Sequence, residues 1–360
     1  MVDSPALEAN AKKTPLQTPL QTPQQTTQQT IIQTTQHTTH PTSIQEPHQE
    51  PSIYHKYFFI IWKLIARTLL LLIPIQRKIP KSILNAGSFL INSPHSPRRK
   101  DTVLYTLPYS HYCEKVRWAL EASGEPYQEH KVCPSLLFLT SKYHGYGTAK
   151  STLPLAITSL EGRRKVLPDS PEVLGMLAHH RGQAWLYPTD EAKELEIHFG
   201  DNFGRPSFHI AYKFLTEPKY AMVSLDFMMR GVPEWQRILA KQAWPVSANL
   251  MSKFIQLNEK LGENLKVADE TFALVERKLR ENGGPFICGG KISAADISFA
   301  SLAYPLVLPP EQEKNYVGLD DKDLHPGYAE VVRRYRSTVA GQYVLDLYRN
   351  HRNVVQGKNI

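Results

Sequence analysis

The residues with the clearest chemical potential are a serine and a cysteine three positions apart, Ser110 and Cys113. They follow a short apolar run, residues 102–107, and open a segment with the apolar spacing of an amphipathic helix. The N–H groups at a helix start lack intrahelical partners, and the helix dipole there favours negative charge. A hydroxyl at this point can therefore stabilise a thiolate. The Ser-x-x-Cys spacing also resembles a redox Cys-x-x-Cys motif whose first sulfur has become oxygen.

The segment around Ser110 alternates strands and helices in the order β-α-β-α-β-β-α, which is typical of a small α/β domain. Strands are predicted at residues 102–107, 129–133, 155–160 and 164–167, and helices at 111–123, 136–142 and 170–180. Ser170 is predicted to cap the last of these helices, with Pro171 at its first position.

From residue 189 onwards the apolar spacing is helical almost throughout. Helices are predicted at residues 191–215, 246–281, 293–308 and 328–349, with a kink at Gly262. Ser293 and Asp296 have the spacing of a capping box, and Ile292 and Ile297 that of a hydrophobic staple. Residues 220–244 are rich in aromatic side chains, and their structure stays open.

The first hundred residues differ in composition from the rest. Residues 1–53 form a Gln/Thr/Pro-rich segment that is predicted to be a disordered tail. Residues 54–76 contain the apolar run from Tyr57 to Ile75, which approaches the roughly 20 residues that span a bilayer. A helix lying flat at the membrane interface and one packed on the globular part are the alternatives. A basic linker, residues 77–100, follows and would face the cytoplasm. These patterns predict a membrane-associated protein with a cytoplasmic globular part and membrane lipid as a partner.

The net charge of +8 does not by itself indicate a nucleic-acid partner, because basic residues beside the apolar run account for much of it. The three cysteines form no disulfide framework and suit a reducing compartment. The histidines of the tail are unevenly spaced with no cysteine nearby, so no metal site is predicted.

Four linked features make residues 101–349 resemble the cytosolic-type glutathione transferases. Ser110 stands where serine-type classes carry their catalytic serine and omega-like members a cysteine. Leu153–Pro154 resembles the family's cis-proline, and Asp169–Ser170 resembles the acidic-Ser pair that receives the γ-glutamyl group. The segment that ends at Asp296 resembles the capping box of the family's helical domain. The implied fold is α/β + all-α: a thioredoxin-like domain at 101–188, a helical bundle at 189–352, and a short tail at 353–360.

The resemblance implies glutathione as co-substrate and no metal. Ser110 would be the catalytic residue, donating a hydrogen bond to the glutathione thiolate, which attacks a small apolar electrophile or a peroxide. Leu153, Pro154, Asp169 and Ser170 would bind the peptide. The predicted function is therefore that of a membrane-tethered glutathione transferase with a role in detoxification. A homodimer is a candidate assembly, because family members are commonly dimers.

Two other functions stay open. One is a non-catalytic assembly module on a membrane, as in the transferase-like metaxins. It is favoured because residues 134–152 lack the Asn-Pro-x-Gly-Lys lead-in that the family carries before the cis-proline. The other is a glutathione-dependent thiol oxidoreductase that uses Cys113, although a cysteine on the apolar face of a helix is more often structural.

Two further sets of side chains have alternative readings. Tyr105 ranks second to Ser110 as the thiolate donor, since it lies inside a predicted strand. Arg205, Phe208 and Tyr212 share one helix face, which either packs in the core or borders the electrophile site.

Overall fold

The computed structural model describes residues 102–144, 152–254, 257, 260–315, 322 and 324–356. These residues belong to one compact unit of the chain. The predicted tail, apolar segment and basic linker, residues 1–100, lie outside the described residues.

The N-terminal domain is built on a four-stranded sheet with the strand order β2-β1-β3-β4. β1 pairs with β2 in parallel and with β3 antiparallel, and β3 and β4 form an antiparallel hairpin. The strands are β1 (Thr102–Thr106), β2 (Tyr127–Lys131), β3 (Leu155–Leu160) and β4 (Arg163–Leu167). Every residue of β1 is buried, as expected of a central strand covered on both faces.

Three helices accompany this sheet. They are α1 (His111–Ala122), α2 (Leu137–His144) and α3 (Ser170–His180). The parallel β1-α1-β2 unit followed by the β3-β4 hairpin and α3 is the thioredoxin-like arrangement. With the helical domain that follows, it confirms the predicted α/β + all-α fold class of the glutathione transferases.

The C-terminal part is helical in the described residues. Its helices are α4 (Asp190–His198), α5 (Gly204–Leu215), α6 (Ala221–Met228), α7 (Glu234–Phe254), α8 (Leu261–Asn282), α9 (Ala294–Val307), α10 (Pro326–Arg336) and α11 (Val339–Asp346). A π-helical turn, Phe199–Phe203, joins α4 to α5, so the predicted helix at 191–215 is one helix with a bulge.

Other boundaries differ from the prediction. The predicted helix at 246–281 is two helices, α7 and α8, and α7 begins twelve residues earlier within the aromatic segment. The predicted helix at 328–349 is divided into α10 and α11 at Ser337, because the hydroxyl of Thr338 accepts a hydrogen bond from the N–H of Gly341 and starts a new helix.

Helix α9 forms the centre of the helical domain, and all of its residues are buried. The predicted capping box at its start is confirmed, since the carboxylate of Asp296 accepts hydrogen bonds from the N–H and hydroxyl of Ser293, at 2.7 and 2.8 Å. It also accepts from the N–H of Ile287 at 2.8 Å and the hydroxyl of Tyr343 at 2.6 Å. One buried carboxylate thus joins the start of α9, the preceding loop and α11.

The predicted membrane association is wrong for the part of the chain that the structure describes. No helix there is long and apolar enough to cross a membrane. The most apolar one, α9, has 14 residues against the roughly 20 that a span requires, and it is buried by other helices. The longer α8 carries charged side chains along its length. The segment from Tyr57 to Ile75, on which the prediction of a membrane helix rested, lies outside the described residues, and the described part gives no support for the predicted lipid partner.

Replacing Asp296 by alanine should lower the free energy of unfolding by about 2–4 kcal/mol, because it leaves buried N–H and O–H donors without their acceptor. Urea denaturation measures this loss. The matched control is Thr189→Ala, which removes an exposed N-cap hydroxyl from α4 and should cost about 1 kcal/mol. Equal losses in the two variants would contradict the central role of Asp296.

Candidate functional site

The candidate site lies at the edge of the sheet that is formed by the C-terminal ends of the parallel strands β1 and β2. Ser110 follows this edge directly and begins α1. The Leu153–Pro154 bond precedes β3, and the register that pairs Tyr105 with Leu155 places it beside the end of β1. The bond is cis, as the resemblance implied. Two of the predicted positions are therefore neighbours in the fold.

The loop between β4 and α3 reaches the same edge. Leu167, the last residue of β4, pairs with Ala156 near the start of β3. The hydroxyl of Thr152 donates a hydrogen bond of 3.3 Å to the carbonyl of Pro168, which joins this loop to the one that carries the cis bond. Asp169 follows at once, so the sheet brings the remaining predicted residues to this edge as well.

Asp169, and not Ser170, caps α3. Its carboxylate accepts a hydrogen bond of 2.8 Å from the N–H of Ser170, and its backbone is extended while that of Ser170 is helical. The sequence alone does not decide between these two neighbours, because Asp and Ser are both favoured at the N-cap position. The Ser170 hydroxyl is buried, and it has no hydrogen-bond partner within the described ranges. It is thus a buried polar group whose hydrogen-bonding capacity the described chain does not use.

Ser110 is the N-cap of α1 and is half-buried. Its hydroxyl oxygen accepts a long hydrogen bond, 3.4 Å, from the N–H of Cys113. The open end of α1 and this hydroxyl therefore face the same space, where the helix dipole favours an anion.

Buried side chains hold three consecutive carbonyls of the loop before Ser110. The guanidinium of Arg117 donates hydrogen bonds of 3.1 Å to the carbonyls of both Leu107 and Pro108. The hydroxyl of Tyr304, on α9, donates to the carbonyl of Tyr109. The position of Ser110 is therefore fixed by side chains from both domains.

Arg117 is itself held in a buried ionic network. It donates to Glu129 at 2.6 Å and to Glu114 at 3.1 Å, and Arg352 near the chain end donates to Glu114 at 2.7 Å. Burial alone would raise the pKa of Glu114, but the guanidinium groups of Arg352 and Arg117 hold it below its ordinary value. The network thus stays charged at neutral pH and keeps Arg117 oriented towards the loop.

The residue after Ser110 binds the helical domain. His111 is buried, and its Nε2 lies 2.7 Å from the carbonyl of Gly204, at the end of the π-helical turn. Tyr112 donates to the carbonyl of Gly200 at 2.8 Å. These two side chains therefore attach the start of α1 to the π-helical turn. Gly204 is needed because a Cβ there would lie 2.1 Å from the Tyr112 hydroxyl oxygen.

The two alternative nucleophile or donor residues are poorly placed. Cys113 is fully buried, and burial raises the pKa of its thiol to about 11. Tyr105 is buried with its ring stacked on His144 of α2 at 4.0 Å and on His130 at 5.3 Å, and burial raises its pKa. Neither group is exposed to a substrate, and neither ionises readily.

Comparison with known proteins supports the resemblance to the glutathione transferase family. Residues 104–148 match the family model for the glutathione S-transferase N-terminal domain. This N-terminal domain is similar to glutathione S-transferases. The match includes Ser110, but it does not show that the chain is of the serine type. No curated protein matches the chain.

Solved glutathione transferases are similar at low identity. The enzyme of Ceriporiopsis subvermispora, in complex with glutathione, is 16% identical, with 71% of this chain and 99% of that chain covered and a TM-score of 0.45. The Burkholderia graminis enzyme, with two glutathione molecules per subunit, is 17% identical with 73% and 94% covered and a TM-score of 0.42. A Pseudomonas fluorescens member is 17% identical with 70% and 95% covered and a TM-score of 0.40.

The predicted helix face on α5 is divided between two environments. Phe208 and Tyr212 line a narrow cavity together with Tyr109 and His111, the residues on either side of Ser110. Arg205 is exposed and does not line it. The face thus borders the site through its aromatic side chains alone.

Sequence reasoning missed the residues that position Ser110 from a distance. Tyr304 and Arg352 act across 195 and 238 residues of chain, and no local spacing signals such contacts. The two hydrogen bonds from Arg117 to loop carbonyls were likewise not predicted.

Replacing His111 by glutamine should flatten the pH dependence of stability between pH 6.5 and 4. Burial lowers the pKa of His111 from 6.5 to about 4, against the opposing effect of the Gly204 carbonyl. The unfolded chain therefore binds more protons in this interval, and the free energy of unfolding decreases by on the order of 3 kcal/mol as the pH is lowered from 6.5 to 4. The glutamine amide offers an N–H in place of Nε2–H and gains no proton.

Urea denaturation across this interval measures the effect. The exposed His198 gives the control, His198→Gln, which should retain the wild-type slope. A wild-type slope in His111→Gln would contradict a buried neutral imidazole.

Proposed function

We propose that this chain binds glutathione and that Ser110 stabilises its thiolate for attack on a small apolar electrophile or a peroxide. The observation that carries the proposal is the meeting of Ser110, Leu153–Pro154 and Asp169–Ser170 at one edge of the sheet. The family match over residues 104–148 supports the same ligand. Residues 101–188 would then be the glutathione-binding domain and residues 189–352 the helical domain that completes it.

The chemistry follows from the position of Ser110. A free thiol has a pKa of about 8.5, so it is mostly protonated at neutral pH. The Ser110 hydroxyl donates a hydrogen bond to the sulfur, and the start of α1 adds a favourable dipole. Both interactions favour the thiolate and lower the thiol pKa. Ser110 acts as a donor and does not itself form a bond with the electrophile.

The other end of the peptide would be held at the start of α3. Its glutamyl carboxylate suits the positive end of the α3 dipole and the Ser170 hydroxyl, which is buried without a partner in the described chain. Asp169 offers a carboxylate for the glutamyl ammonium group. These groups would provide a partner for each charge of the glutamyl end of glutathione.

Thiol exchange through Cys113 is the less favourable alternative. The thiol is fully buried, and its raised pKa leaves little thiolate at neutral pH. Cys113→Ala should accordingly leave turnover with glutathione unchanged.

Ser110→Ala should lower kcat/KM for a glutathione-dependent conjugation by about 100- to 1000-fold, the usual effect of losing one donor to a developing or bound anion. Titration calorimetry of the full-length wild-type chain with glutathione tests binding first. Thiolate absorbance of the complex against pH then measures the thiol pKa, which should rise in the variant. Thr338→Ala is the control, since it removes an N-cap hydroxyl of the helical domain. Folded wild-type protein that fails to bind millimolar glutathione would refute the proposal.

Ser170→Ala should weaken glutathione binding roughly tenfold without lowering stability. A buried hydroxyl with no partner contributes nothing favourable to the ligand-free fold, whereas its hydrogen bond to a carboxylate is worth about 1.5–3 kcal/mol. Calorimetry and thermal denaturation measure the two effects. A large loss of stability with unchanged affinity would assign Ser170 a purely structural role.

A further inference from the structure

Two helices of the C-terminal part, α6 and α7, extend over the edge of the sheet that carries Ser110. We call this pair the helical cap. At the end of α6, Phe227 and Met228 line the narrow cavity that Tyr109 and His111 border from the other side. The cap is thus in contact with the loop that places the candidate hydroxyl.

A buried glutamine joins the cap to the end of β2. The side-chain oxygen of Gln236 accepts a hydrogen bond of 3.0 Å from the backbone N–H of Cys133, 103 residues away in the chain. Only 2% of Gln236 is exposed. Because β1 and β2 are parallel, the end of β2 lies at the same edge as Ser110.

The turn between α6 and α7 also lies against β2. Gly231 has a φ of +77°, and a Cβ at this position would come within 3.0 Å of the side chain of Lys131. Glycine is suited to this turn both by its positive φ and by the close approach. The cap therefore contacts the N-terminal domain at two neighbouring points, Gln236 and Gly231.

The two cap helices are also bound to each other. The indole N–H of Trp244 donates a hydrogen bond of 2.7 Å to the carbonyl of Ala221, and Lys241 pairs with Asp226 at 2.8 Å. These contacts connect α7 to both ends of α6. The two helices are therefore connected to each other as one unit.

The cavity beneath the cap has room for about one water molecule. Its lining is apolar and aromatic, with contributions from α5, α6 and α9. Any electrophile therefore reaches the Ser110 loop only as the cap moves, and an aromatic ring requires a larger displacement of the cap than a methyl group.

We propose that Gln236 holds the helical cap over the side of the Ser110 site that the electrophile approaches, and that release of this contact sets the size of electrophile the enzyme accepts. We call this contact the latch. This rests on the proposed glutathione chemistry. Gln236 is a positioning residue here, since it acts through the cap and not on the reacting atoms.

The experiment compares Gln236→Leu with Gln242→Leu in the full-length chain. Gln242 lies on the same helix and is exposed, so it receives the same substitution without touching the latch. Hydrogen–deuterium exchange of the ligand-free proteins measures opening of the cap. Losing one net hydrogen bond should raise the open population, and with it exchange across residues 221–244, by about 2- to 12-fold. Exchange in α8 should stay at the wild-type rate.

The second measurement is selectivity between two electrophiles. With iodomethane, the glutathione sulfur forms a bond to the methyl carbon and iodide leaves. With chlorodinitrobenzene, it forms a bond to the ring carbon and chloride leaves. The ratio of kcat/KM for the bulky over the small electrophile should rise in Gln236→Leu, because the larger displacement gains more from the lost hydrogen bond, and should not change in Gln242→Leu.

Each outcome decides a part of the proposal. Equal exchange in the two variants overturns the latch, and faster exchange with an unchanged ratio overturns control of acceptor size. If the wild type turns over neither electrophile, the proposed function is refuted, and so is control of electrophile size. The hydrogen–deuterium exchange measurement still decides whether Gln236 is a latch. If Gln236→Leu fails to fold, Gln236→Asn with Gln242→Asn replaces the pair, because asparagine keeps the amide but is one methylene too short to reach Cys133.

Discussion

The position of Ser110 depends on one buried guanidinium. Arg117 binds the carbonyls of Leu107 and Pro108, and two carboxylates on its other side, Glu114 and Glu129, keep it charged and oriented. A buried charge is costly unless every hydrogen-bonding position is satisfied, and here partners surround the group. The loop consequently has a single well-defined geometry, which is what a small hydroxyl must have in order to act on a ligand atom.

Much of this support comes from the helical domain. Tyr304 binds the loop, Arg352 completes the charge network, and the π-helical turn offers its carbonyls to His111 and Tyr112. The candidate site residues thus belong to the smaller domain, while the residues that hold them in place come from both domains. This division explains why the two parts share one core and one compact unit.

Local sequence signals predicted the local structure well. The start of α1, the β3-β4 hairpin and the capping box at Asp296 all depend on neighbouring residues, and each was found where expected. The N-cap of α3 is Asp169, one residue before the predicted Ser170, because both residue types favour an N-cap position. The division between α7 and α8 and the Gln236 latch depend on long-range packing, which spacing along the chain does not encode. The membrane prediction rested on hydropathy in one segment, and the helices that the structure describes do not bear it out.

Arg352 has a consequence for how the protein is made. It bonds both Glu114 and Glu121 of α1, yet 238 residues of chain separate it from Glu114, so it leaves the ribosome after helices α4 to α11. Until then, the buried carboxylate of Glu114 lacks one of the two guanidinium groups that bind it. Domains tend to fold in the order of synthesis, but here the N-terminal domain remains incomplete until the helical domain has been made. A nascent chain stalled before this arginine would hold Ser110 in a loop whose ionic support is unfinished.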